Sequence, residues 1–129
     1  MILGFQQRFV PAVADGTKPH SIRVGQRWRE GLSIQFYQNV RQASMAKIRE
    51  DAVATVVQAI RIERGFRVHK DDLQWPTVTV DGRQLSRIEC ATLANSEGFD
   101  NAEELANFFA DAYGLPFDGQ LIGWTDLRY

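Results

Sequence analysis

Gly16-Thr17-Lys18-Pro19-His20-Ser21-Ile22-Arg23 is the stretch around which the rest of the chain is read. From Lys18 to Arg23 it carries two cations, an imidazole and a hydroxyl. The segment before it is apolar: Phe5, Phe9 and Val13 recur at i, i+4 and i+8, one face of a helix. That predicts a strand at about 2–5, a helix at about 6–14, and a left-handed stop at Gly16. Pro11 is tolerated near a first helical turn, and Pro19 biases Lys18 toward extended backbone. Residues 17–24 therefore read as extended. Strict alternation would put Lys18, His20 and Ile22 on one face and Ser21 and Arg23 on the other. Pro19 and the turn at Gly16 loosen that rule.

Outward from this stretch, Gly25–Gly31 is a turn-rich crossing that carries Trp28. Leu32, Ile34 and Phe36 then alternate with polar neighbours as a half-buried strand. Residues 38–50 read as a loop. The run at 52–62 fits either a helix face or a strand, and its density of Val, Ile and Thr favours the strand. A hairpin is predicted over about 66–85, with Asp81-Gly82 as its turn after Thr77-Val78-Thr79-Val80. Ser86 with Glu89 forms a capping box that opens a helix over about 87–95. Asp100 with Glu103 opens another over about 101–112, facing inward through Leu105, Phe108, Phe109 and Ala112 and stopped by Gly114 and Pro116. Gln120–Trp124 closes the chain as a strand. Short strands and helices without βαβ alternation predict one α+β domain over 1–129, built on a small barrel with peripheral helices.

Composition narrows the function classes. The 129 residues have 44% apolar and 24% charged residues, the profile of an ordinary soluble globular domain. No run approaches the length of a membrane span, and Met1–Phe5 lacks the basic leader of a signal peptide. A net charge of −1 argues against coating duplex DNA by bulk electrostatics. The bases cluster in the first fifty residues and the acids late, so the two ends differ in potential. One cysteine, Cys90, excludes an intrachain disulfide and a thiolate zinc site, and suits a reducing cytoplasm. His20 and His69 have no ligand-spaced partners, so no metal or other cofactor is expected.

Two constellations carry chemistry. Lys18, His20, Ser21 and Arg23 offer an anion clamp, or a lysine base beside a hydroxyl nucleophile. Glu97, at a helix junction before Gly98, offers a carboxylate that burial would bring into acid–base range. Either group could equally be a solvated loop. Trp28, Trp75, Trp124, Tyr37 and Tyr113 are aromatics that could stack on bases or fill the core.

These residues resemble an ASCH domain, a family with the PUA-like β-barrel fold. The resemblance runs through Phe5-Gln6-Gln7-Arg8-Phe9, Gly16-Thr17-Lys18 into Ser21-Ile22-Arg23, and Gly25. It continues through Ala94-Asn95-Ser96-Glu97-Gly98-Phe99, Phe108-Phe109 before Tyr113-Gly114, and Trp124. It covers nearly the whole chain, leaving the hairpin at about 66–85 as an insertion. It implies a cleft between the Lys18 stretch and Glu97 that binds RNA, a nucleotide or a modified nucleoside. One branch of the family hydrolyses the acetyl amide of acetylcytidine. The resemblance then makes Lys18, Ser21 and Glu97 the catalytic set, with His20 and Arg23 contacting ligand. Two positions depart from the family pattern: Pro19 stands where many relatives have threonine, and Gln26 where an acid is common. They favour a binding module over an amidohydrolase or ribonuclease. A protein-interaction domain with an idle cleft is the third alternative.

Overall fold

A computed structural model describes residues 1–65 and 75–129. It is α+β, with two sheets and three α-helices among the described residues. β1 (Ile2–Phe5) is followed by a 3-10 turn at Gln7–Phe9 and α1 (Val10–Asp15). Then come β2 (His20–Val24), β3 (Ser33–Gln38), β4 (Ala46–Lys47), β5 (Ala52–Val53) and β6 (Val56–Glu63). β7 (Thr77–Val80) and β8 (Arg83–Gln84) precede α2 (Arg87–Glu97), α3 (Ala102–Tyr113) and β9 (Phe117–Gly123).

One sheet pairs β1 in parallel with β3, and β3 antiparallel with β4 and β5. The other runs in the order β2-β9-β6-β7-β8, every pairing antiparallel. No closed barrel forms among the described residues. The chain passes between the two sheets at β1–β2, β2–β3 and β5–β6, and the last passage joins them most directly. β5 runs into β6 across Ala54 and Thr55, where Ala54 N–H donates to Leu32 O (2.8 Å) and Thr55 N–H to Gly123 O (2.9 Å). The 52–62 ambiguity thus resolves to strand. The β-branched side chains pack against neighbours on both sheets, and the helical reading would have left the β9 edge unpaired.

Local signals place most elements. Gly16 ends α1 at φ 84° and Gly98 ends α2 at φ 103°, both left-handed. The Asp81-Gly82 turn has positive φ at both positions, as a two-residue hairpin of this type requires. The expected hairpin is described from residue 75 onward; residues 66–74, including His69, lie outside the described residues.

Four expectations need correction. α2 runs on to Glu97, because the Gly98 N–H closes it on Ala94 O and Asn95 O. The 38–50 loop contains β4, which pairs with β3 at Tyr37 and Gln38. The cap of α3 is Asn101, not Asp100: Asn101 Oδ1 accepts the Glu104 N–H (2.8 Å), while Glu104 Oε2 accepts the Asp100 N–H (3.2 Å). The Glu104 carboxylate thus bonds the residue before the cap, and the reciprocal box is not formed. Ala112 faces solvent, while Ala102 and Ala106 enter the core beside Leu105 and Phe109.

The core is continuous from β1 and β3 (Leu3, Phe5, Ile34, Phe36) through β6 and β7 (Ile60, Ile62, Val78, Val80) to the helices (Leu93, Leu105, Phe109). Trp124 stands edge-on to Phe36, with ring centroids 4.9 Å apart, and Trp28 is buried. Both tryptophans are therefore packing residues. α2 packs against α3 and β2, which brings the end of α2 onto the open edge of β2. That contact builds the site.

Candidate functional site

β2 is an edge strand, so alternate backbone N–H groups along its outer side lack a strand partner. Glu97, the last residue of α2, takes one of them: Ile22 N–H donates to Oε2 (3.3 Å). The glycine stop at Gly98 turns the chain there, and the Phe99 N–H returns to Ala94 O (2.9 Å). Arg8 secures the junction from outside, reaching Gly98 O (3.4 Å) and Glu104 (3.1 Å).

The two constellations converge. Lys18 Nζ donates to Glu97 Oε2 (3.0 Å) and to the Glu97 carbonyl (2.8 Å). Its charge thus sits on the unsatisfied carbonyl end of α2, which favours a cation. The ammonium also lies 5.1 Å from the Phe9 ring centroid. His20 Nδ1 is 2.6 Å from Glu97 Oε1, and Nε2 is 2.9 Å from the Tyr129 hydroxyl. With Glu97 ionised, Nδ1 carries the hydrogen it gives to Oε1. A neutral ring then accepts the Tyr129 proton at Nε2.

Lys18, His20 and Glu97 are 2%, 1% and 4% exposed, so the solvated-loop reading fails for all three. Burial pushes the Lys18 ammonium below its ordinary value and outweighs the attraction of Glu97. Burial alone would raise the Glu97 carboxyl, but Lys18 and His20 together hold it below the usual carboxylate value. The pair thus favours the ionised form of Glu97, while Lys18 gives up its proton more readily than a surface lysine.

Strand alternation holds only from His20 onward, because Pro19 and Gly16 hold Lys18 ahead of β2. As a result Lys18, Ser21 and Arg23 all line one cavity of about 120 Å³ with Glu97. Its other walls are mostly aromatic (Phe5, Phe9, Phe99, Phe108, Phe109 and Tyr113), with Gly4, Gln6 and Ile22 completing them. A space this size holds several waters or one planar ring. His20 does not line it. Expected as a ligand contact, His20 stands behind Glu97 and acts on the carboxylate instead. Its wide sequence separation from Tyr129 and Glu97 hid that role.

Arg23 is anchored by neutral groups. Nε donates to Ser21 Oγ (2.9 Å), Nη2 to Gly4 O (2.7 Å), and the guanidinium lies 4.9 Å over the Phe5 ring. The Ser21 hydroxyl thus accepts from Arg23 and has no bond to Lys18 or Glu97. Two residues were missed from sequence. Tyr129 completes the His20 network, and Gln58 holds Tyr129 through both main-chain groups, Nε2 to Tyr129 O (2.9 Å) and Tyr129 N–H to Oε1 (3.0 Å). Gln58 is a polar residue on the otherwise apolar inward face of β6 (Val56, Ile60 and Ile62), and that break in pattern was the available signal.

Among the described residues no three His, Cys, Asp or Glu side chains converge as a metal site. No helix among them is long and apolar enough to cross a membrane. No family profile, curated protein or solved structure matches the chain.

Proposed function

We propose that the cavity binds a nucleoside-type heterocycle, free or within RNA, in a cytoplasmic protein of ASCH type. On this reading the two sheets, sharing the bent strand from Ala52 to Glu63, form the PUA-like barrel shell. One observation carries the proposal: Lys18, Glu97 and Arg23 converge on a cavity whose remaining walls are mostly aromatic rings. Nucleobases require that combination, flat apolar faces for stacking and fixed polar groups at the ring edge. Glu97 accepts from an amino or ring N–H, and Lys18 and Arg23 donate to carbonyl oxygens. Titration calorimetry with cytidine, acetylcytidine and a short single-stranded RNA tests it. Phe108→Leu removes a half-buried stacking face and Arg23→Ala a donor, and each should weaken binding about tenfold or more. Unchanged affinity in both variants would place the ligand elsewhere.

A second reading, hydrolysis of the acetyl amide of acetylcytidine, draws on Lys18, Ser21 and Glu97 lining the same cavity. Lys18, with its lowered proton affinity, would serve as base, Ser21 as hydroxyl participant and Glu97 as proton carrier. For Ser21 to act, its hydroxyl must turn from the Arg23 contact toward Lys18. Acetate release from acetylcytidine by the parent, abolished in Glu97→Gln, would support it. No release from the parent leaves the binding reading alone.

A further inference from the structure

A second hollow, of about 170 Å³, adjoins the aromatic cavity. The two share Arg23 and Tyr113, so Arg23 stands at their junction. Arg27, which is exposed, and the buried Trp28 also line the second hollow. Neither guanidinium is ion-paired to a carboxylate among the described residues.

That leaves the junction short of negative charge. Arg23 is half-buried, its Nε and one Nη2 hydrogen are used, and its Nη1 group has no acceptor among the described residues. Burial pushes its guanidinium below its ordinary value; Glu97 and Tyr113 oppose that, and the nearby Arg27 charge adds a smaller push downward. A half-buried cation beside a like charge, satisfied only by a hydroxyl and a carbonyl, is destabilising unless an anion arrives. The anchoring also fixes the guanidinium plane before binding, as bidentate recognition of a phosphate needs.

We propose that the ligand is a nucleoside monophosphate, with its base in the aromatic cavity and its phosphate held between Arg23 and Arg27. This rests on the nucleoside-type reading above and extends it. The base cavity selects the flat ring; the second hollow selects its anionic ester. Tyr113, more than half exposed and lining both hollows, covers the sugar that joins them.

Calorimetry on the full chain decides it, using adenosine, cytidine, guanosine, uridine, their 5′-monophosphates, inorganic phosphate and a trinucleotide RNA without terminal phosphates. At least one monophosphate should bind about tenfold to a hundredfold tighter than its nucleoside, with the gain shrinking as salt rises. Arg27→Ala should abolish the gain, and because Arg27 is exposed the variant should keep the parent's unfolding temperature. If nucleosides bind and the phosphate adds nothing, the mononucleotide inference falls and the nucleoside reading stands. If neither class binds, both fall. A trinucleotide that outbinds the monophosphates and weakens in Arg27→Ala would assign the hollow to an RNA backbone phosphate and overturn the mononucleotide.

Discussion

Replacing Lys18 with methionine isolates the energetics of the site. The substitution keeps an unbranched apolar stem in contact with Phe9 and deletes only the charge. Lys18 and Glu97 have side-chain exposures of 2% and 5%, so water cannot replace the lost ammonium. Glu97 would keep His20 and the Ile22 N–H but lose its nearest full positive charge. Removing one partner of such a buried pair costs about 3–5 kcal/mol. For this 129-residue chain, an unfolding entropy of about 2.1 cal/mol/K per residue converts that to a fall in Tm of about 11–18 °C. Adding Glu97→Gln removes the orphaned charge: the amide oxygen accepts from the Ile22 N–H, and the amide NH2 donates to His20 Nδ1 once the ring hydrogen moves to Nε2. The double variant should therefore be more stable than Lys18→Met alone, with a coupling of at least about 2 kcal/mol. Urea and thermal unfolding followed by circular dichroism at pH 7 measure all corners of the cycle. A Lys18→Met loss under about 1 kcal/mol, or single effects that add in the double variant, would refute a desolvated pair.

Acid sensitivity follows from the sign of the Glu97 shift. Its folded-state value lies below the ordinary 4.5, so its stabilisation is complete above that pH and is lost as pH falls through the lower folded value. Exposed carboxylates such as Glu30 and Asp51 are lowered too, so the test is the difference in Tm between parent and Glu97→Gln, which should narrow as pH falls below 4.5. Tyr129→Phe removes the hydroxyl from His20 Nε2 and should destabilise by about 1 kcal/mol. Nitrogen-15 spectra of the imidazole should show a changed Nε2 environment, and an unchanged His20 signal would break the proposed Tyr129–His20–Glu97 chain.

Much of this molecule was legible because its signals are local. Gly16 and Gly98 mark helix ends, Ser86 with Glu89 marks a helix start, and Asp81-Gly82 marks a turn, each through the conformation of a few adjacent residues. The α3 start slipped by one residue for the same reason. Asp100 and Asn101 are both good caps, and only the packing of Ala102 and Ala106 against the core chose between them. The convergence of Lys18 with Glu97, 79 positions apart, was inferred from a resemblance and not from any local rule.

By itself, the sequence determined an α+β chain with a cationic stretch behind a short helix and a carboxylate at a helix junction. Local backbone preferences and hydrophobic period suffice for that. Only the tertiary structure decided that Lys18 and Glu97 are a buried pair, since burial depends on α2 closing over the open edge of β2. It also put His20 behind the carboxylate, brought in Gln58 and Tyr129, and left Arg23 between two hollows without an acidic partner. Those relations join residues far apart in the chain, and the fold alone sets the distances between them.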